Sequence, residues 1–255
     1  MFKNVIHKNA ILIPFLMLAA MWIGFFLQYL GFFSSCFGAI IPLLPEGLIG
    51  IFTSPILHGN LDHIVSNSIP IAVLLFLLYQ FYPLVANKIF ILGWLATGLL
   101  LWMLPPIDIQ TGEYAYTCTI GASGVVYVLA FFLFFSGVFK WNVKLLTISL
   151  LVVLYYGSLI WGIFPEELFY NLQEPSKISW QAHLSGAIVG ILLAYIFRNI
   201  GHQKKKYIWE FPNYYSEKDD KLWQEYKENH PDDFLELPYK KNDDPWDYLE
   251  EIRRK

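Results

Sequence analysis

A serine hydroxyl becomes a nucleophile when a base at hydrogen-bond distance takes its proton, and imidazole is the side chain suited to that work near neutral pH. Ser123 stands in the run Gly121-Ala122-Ser123-Gly124, and His183 in Ala182-His183-Leu184-Ser185-Gly186. A second polar pair, His63 and Asn67, is spaced four residues apart, so on a helix the two share a face one turn from each other. An amide and an imidazole aimed into a dry cavity stabilise the charge of a tetrahedral acyl intermediate by roughly 3 to 4 kcal/mol per good donor. The backbone N–H of Ser123 is a third donor if a helix starts there, because the first N–H groups are unpaired and the dipole is positive at that end. Tyr127, four residues on, shares the Ser123 face and can stack on an imidazole in place of an orienting carboxylate.

Each residue also has a plainer role open to it. A serine in an apolar helix commonly bonds its own backbone, Asn67 can serve as interhelical glue, Tyr127 as core, and Gly186 with Gly190 as a packing face. A histidine in hydrocarbon is harder to place as packing, since ionisable groups there are costly and usually face a cavity. His58 and Asp62 beside His63 suggest zinc. No His-Glu-x-x-His pattern accompanies them, and the expectation is of no metal ion, no cofactor and no nucleic-acid partner.

Such residues need rigid elements at one depth. With 56% hydrophobic and 15% charged residues the chain is too apolar for water to be its only solvent. Its apolar residues gather into six stretches long enough for a hydrocarbon layer of roughly 30 Å: residues 10–33, 63–82, 89–104, 120–139, 145–164 and 180–200. The third is short, which suggests a steep or partly re-entrant path. The fold class read from this is all-α, a polytopic bundle of six transmembrane helices spanning residues 1–200, with a charged and aromatic tail over 201–255. The first stretch has no Ala-x-Ala cleavage site and reads as an uncleaved anchor.

Lys and Arg are retained on the cytoplasmic side during insertion. Lys3, Lys8, Lys88, Lys140, Lys144, Arg198 and Lys204 to Lys206 flank alternate ends of the spans, whereas the other three loops hold only Lys177. Both termini are therefore expected in the cytoplasm, and His63, Ser123 and His183 near the opposite face at a common depth. The shared depth is what makes a Ser123–His183 pair credible. Gly121 and Gly124 beside Ser123, facing Gly186 and Gly190, allow the fourth and sixth spans to approach closely. Cys36 and Cys118 fall on the extracytoplasmic side, where a disulfide is permitted, although free buried thiols are expected from two cysteines alone. In the tail, residues 216–229 have helical spacing with Leu222, Trp223 and Tyr226 on one face, and Lys204 to Lys206 suit anionic headgroups.

The residues His58-x-x-x-x-His63-x-x-x-Asn67, Gly121-Ala122-Ser123-Gly124-Val125-Val126-Tyr127 and Ala182-His183-Leu184-Ser185-Gly186 with Gly190, in this order within a six-span bundle, resemble the rhomboid family of intramembrane serine proteases. The resemblance covers roughly residues 52–195. It implies Ser123 as nucleophile, His183 as general base in a dyad without Asp, and His63, Asn67 and the Ser123 N–H as the oxyanion hole, with Tyr127 stacked on His183. It also implies single-span membrane proteins as substrates, cut in or beside the transmembrane segment, and a cap formed by the loop from Pro165 to Ser179. One departure is plain: where many members carry a Trp-Arg pair in the first loop, this chain reads Ile49-Gly50-Ile51-Phe52, leaving that loop less well specified. A catalytically silent relative that binds transmembrane helices, and a small transporter with His183, His63 and Asn67 lining its path, are the competing functions. The expected location is the plasma membrane of a prokaryote, amid lipid; the oligomeric state is not read from the sequence.

Overall fold

The computed structural model describes residues 6–34, 36–105, 112, 114, 116–165, 179–201 and 217–234. The chain divides into two compact units, Met1–Lys205 and Lys206–Lys255. In the first, the described residues are helical with one isolated antiparallel bridge, Ile40 to Thr119. Among the described residues, five helices are long and apolar enough to cross a membrane. They are α1 (Lys8–Tyr29), α3 (Leu61–Phe81), α4 (Ala86–Met103), α5 (Ser123–Lys140) and α6 (Val143–Tyr156), the last extended by a 3₁₀ segment, Gly157–Ile163. A short α2, Gly50–Thr53, lies in the first loop. The remaining helix, α7 (Trp180–Ile196), is apolar but has 17 residues, about 25 Å at 1.5 Å per residue, and so sits at the lower limit for a span.

Local chemistry sets where these helices begin. Asn60 caps α3 by accepting the His63 N–H at 2.8 Å, which starts the helix two residues before the expected His63 and places His63 in its first turn. Ser179 caps α7 by accepting the Ala182 N–H, and Asn142 caps α6 through the Lys144 N–H; Ser and Asn are favoured at this position because their side-chain oxygen satisfies an orphan donor. Pro14 and Pro70 lie inside α1 and α3, tolerated where neighbouring helices cover the freed carbonyl.

Helix α5 is the centre of the unit. It packs on α3, α4, α6 and most extensively on α7, and Val125 to Ala130, Phe132 and Leu133 are all buried. The exposed large residues Ile11, Phe15, Ile23, Ile69 and Leu154 lie instead on outward faces of α1, α3 and α6, as befits helices facing lipid. Close approach of α5 and α7 depends on the absence of side chains: a methyl group on Gly186 would collide with the Gly124 carbonyl, and one on Gly190 would lie 2.6 Å from the Val128 carbonyl. Backbone cannot yield as a side-chain tip can. Gly190→Ala is therefore expected to destabilise the protein by about 1–3 kcal/mol, read as a lowered thermal midpoint in detergent. Gly157→Ala, whose methyl would meet only Val153 Cγ1 at 3.7 Å, is the control expected to leave the midpoint in place.

Four expectations are corrected. Of the two paths expected for the third span, the re-entrant one is overturned: the span is one continuous helix of 18 residues, because nothing in Ala86–Met103 breaks it. Lys140, assigned to a loop, belongs to the last turn of α5 and is buried, where its ammonium donates to the Ile200 carbonyl and lies 5.2 Å from the Tyr82 ring; a cation suits a helix C-terminus. The first loop is fastened at many points despite lacking the Trp-Arg pair: Trp94 Nε1 donates to the Ile51 carbonyl, Trp102 Nε1 to Leu44 and Thr53 Oγ1 to Gly38. Cys36 and Cys118 are not free thiols but a disulfide, with Cα atoms 5.4 Å apart. The Ile40 to Thr119 bridge aligns their two segments, and no local pattern announces a pairing across 82 residues.

In the second unit, α8 (Glu217–Asn229) leads to a 3₁₀ turn, Pro231–Phe234. Phe234 packs edge-on to Trp223, and Tyr226 donates to Asp233 at 2.8 Å. This agrees with the helix expected over 216–229. The Lys204 to Lys206 cluster, the cap positions 166–178 and the tail beyond Phe234 lie outside the described residues.

Candidate active site

Ser123 is the first residue of α5, half-buried, with Ala122 before it providing no side-chain cap. The first intrahelical bond here is Val126 N–H to the Ala122 carbonyl. The N–H groups of Ser123 and Gly124 thus point out of the helix start with its positive dipole behind them. His183 lies in the first turn of α7 and is buried. Gly124 faces the Ala182 carbonyl and Gly186 faces Gly124, so the residues following Ser123 and preceding His183 meet where the two helix starts adjoin.

The His183 ring is held on two sides. It stacks on Tyr127, centroids 4.2 Å apart and planes within 8°. Its Nδ1 lies 2.9 Å from the Gly162 carbonyl. A carbonyl oxygen can only accept, so Nδ1 carries the proton, and a neutral ring then has its lone pair on Nε2. Gly162 went unnoticed in the sequence, where nothing distinguishes it from any other glycine; its part comes from a backbone carbonyl and from the lack of a side chain, since a methyl there would collide with the Tyr127 hydroxyl.

On the other side of Ser123, Gly121 has φ +115, a conformation that L residues rarely adopt, and a methyl on it would lie 2.6 Å from His63 Nε2. Glycine alone lets the imidazole come this close to the chain leading into Ser123. Asn67 is buried one turn below His63 and donates one amide hydrogen to the His63 carbonyl at 2.8 Å, leaving its second hydrogen for another acceptor. The structure thus joins His63 to Gly121, with Asn67 one turn below His63, and joins Gly124 and Tyr127 to Gly186 and Tyr127 to His183, with Ser123 between Gly121 and Gly124 in the chain; Gly190 lies at the α5–α7 packing face.

His58, considered as a metal ligand from sequence, is buried, and its Nε2 accepts from the Ala122 N–H at 3.4 Å. Burial, reinforced by the neighbouring His63 imidazole, pushes His58 down to about 4. It therefore stays neutral near pH 7 and retains the lone pair that this contact requires. Asn60, which sets the His63 turn, went unnoticed in the sequence, where an Asn one step before Leu61 is the signal that could have found it.

A family model described as the Rhomboid domain matches residues 45–200, more than half of the chain. Among curated proteins, uncharacterized proteins of Mycobacterium bovis and Mycobacterium tuberculosis are 34% identical over 161 residues, 62% of this chain and 62% of theirs. One of Mycobacterium leprae is 33% identical over 161 residues, covering 60% of this chain and 58% of that protein. The chain thus spans less than two thirds of the length of the relatives it matches. With apolar helices that make it an integral membrane protein and a family match enclosing the helix starts that carry His63, Ser123 and His183, this chain belongs to the rhomboid family.

Proposed function

We propose that this chain is an intramembrane serine endopeptidase acting on single-span membrane proteins through Ser123 and His183. Ser123 Oγ attacks the scissile carbonyl while His183 Nε2 takes its proton. The resulting oxyanion is held by the Ser123 N–H, the Asn67 amide and His63, and its collapse expels the amine, protonated by His183. Water activated by the same imidazole then releases the acyl group, so the reaction needs no cofactor. The observation that carries this reading is the fixed imidazole: Tyr127 stacks on it and Gly162 accepts from its Nδ1, which puts the lone pair of the neutral ring on Nε2. An orienting acceptor is the part that Asp plays in a triad; here a backbone carbonyl takes its place.

The accompanying topology has six spans, both termini cytoplasmic, the catalytic domain over 1–200 and the tail over 201–255, in the plasma membrane of a prokaryote. The disulfide supports this orientation independently of the basic residues, because such bonds persist on the oxidising side and both cysteines lie at the ends of α1 and α5 opposite Lys8 and Lys140.

The test is cleavage of a single-span substrate by purified protein in liposomes, with fluorophosphonate labelling alongside. Wild type should cleave and label, and Ser123→Ala should do neither. Equal cleavage by both would discard the protease reading in favour of a contaminant. Binding of the substrate helix without cleavage or labelling would identify a silent relative, and solute flux indifferent to Ser123→Ala a transporter.

The part assigned to Gly162 has its own test. Replacing the peptide link after Gly162 by an ester, with the α-hydroxy analogue of Ile163, weakens the carbonyl as an acceptor without adding bulk. A neutral hydrogen bond contributes about 0.5–1.5 kcal/mol, so kcat should fall about 2- to 13-fold. Nitrogen NMR of His183 should at the same time show a mixture of ring tautomers. A single unchanged tautomer with unchanged kcat would remove Gly162 from the mechanism.

A further inference from the structure

The segment Cys118–Ala122, which ends at the Ser123 N–H, is fastened to the first loop at nearly every residue. Cys118 is bonded to Cys36; Thr119 exchanges both backbone hydrogen bonds with Ile40 at 2.9 Å; Gly121 N–H donates to the Ser54 carbonyl at 2.8 Å; Ala122 N–H donates to His58. These ties set the height of the Ser123 N–H and press Gly121 against His63, two of the groups around the proposed oxyanion. One of them is covalent and can be opened chemically. Cys36 is exposed and Cys118 half-buried, so a thiolate in the aqueous phase can reach the bond. The Cys36–Cys118 link closes a loop that contains α2, α3 and α4; when it opens, the first loop and the segment before Ser123 keep only hydrogen bonds and packing, with no covalent tie between them.

We propose that Cys36–Cys118 is a redox-controlled positioning element for the oxyanion site: oxidised, it holds the segment before Ser123 in register with His63; reduced, it lets that register relax. The proposal rests on the protease reading above. The reductant is a dithiol. Its first thiolate attacks one sulfur, breaking the Cys36–Cys118 bond to release one protein thiolate and leave a mixed disulfide; its second thiolate attacks that mixed disulfide and displaces the other protein thiolate, so the dithiol loses two electrons and leaves as a cyclic disulfide while Cys36 and Cys118 take up the two protons it gave to solvent and end as two thiols. A bond that served stability alone would, on reduction, reduce the amount of folded enzyme and leave the folded remainder as fast as before. A positioning bond slows each folded molecule in the step that builds the oxyanion.

The experiment uses the full chain in liposomes, oxidised or treated with dithiothreitol, with thiol state read by alkylation and mass spectrometry. It measures kcat and KM on a single-span substrate and the rate of Ser123 labelling by a fluorophosphonate. Small misplacements at a reacting centre cost one to two orders of magnitude, so reduction should lower kcat and labelling rate about tenfold with KM within about twofold. Reoxidation with diamide should restore both, and Cys36→Ser with Cys118→Ser should hold the reduced rates and ignore dithiothreitol. Should that double variant fail to fold, the reversible loss in wild type carries the result. Equal kcat and labelling rates in oxidised and reduced wild type would overturn the proposal, as would a loss confined to the number of active sites. An oxidised wild type that neither labels nor cleaves removes the protease reading and this proposal together, whereas an active enzyme indifferent to dithiothreitol removes the proposal alone.

Discussion

Ser123→Ala is expected to lower turnover of a single-span substrate in liposomes by about 10³-fold or more, and adding His183→Ala to it should lower turnover no further. The size follows from the chemistry. Without Oγ there is no acyl-enzyme, and the remaining donors can only assist direct attack by water. The lack of additivity follows from the two residues acting as one unit: an imidazole with no hydroxyl to deprotonate contributes nothing to that step. His183→Ala alone should approach the same low level. It also removes the partner that Tyr127 stacks against at 4.2 Å, so the melting temperature of this variant must be recorded beside its rate; the Ser123→Ala rate is the cleaner number. Turnover within tenfold of wild type in Ser123→Ala, with contaminating proteases removed, would end the case for the dyad.

Asn67→Ala and His63→Ala should each lower kcat by about 10²- to 10³-fold while KM stays within about twofold. A donor aimed at the oxyanion contributes little to binding of the planar carbonyl and most to the tetrahedral species, so its loss falls on the chemical step. Gly121→Ala should reproduce much of the His63→Ala loss with both donors still present. Its methyl would lie 2.6 Å from His63 Nε2, and its backbone would be held at φ +115, so either the imidazole or the segment before Ser123 must move. The opposite kinetic pattern, a raised KM at unchanged kcat in Asn67→Ala and His63→Ala, would assign these residues to substrate binding and take the oxyanion site out of the mechanism. Asn67 carries a structural share as well, since one of its amide hydrogens closes a turn of α3 on the His63 carbonyl; a thermal midpoint separates that share from the catalytic one.

How far the sequence reached depends on the range of each interaction. The apolar runs were legible because crossing a hydrocarbon layer is a condition on consecutive residues, and helices over Lys8–Tyr29, Leu61–Phe81 and Ser123–Lys140 lie where those runs lie. The helix spacing of His63 with Asn67 and of Ser123 with Tyr127 was legible for the same reason, since it follows from the helical period alone. The starts are less legible: Asn60 immediately precedes α3 and Ala122 immediately precedes α5, and each start turns on a single hydrogen bond or backbone angle rather than on hydropathy.

What the sequence determined by itself is therefore the local and periodic part: an all-helical membrane protein, the residues able to do chemistry, and the face of each helix they share. Only the tertiary structure decided that the Gly162 carbonyl meets His183, that His58 accepts from the Ala122 N–H, that Lys140 is buried, and that Cys36 is bonded to Cys118. These contacts join segments distant in the chain, and several run through backbone atoms that every residue possesses. Residue type carries no record of where a carbonyl will point; the packing of α5 against α7 and of the first loop against the start of α5 sets that.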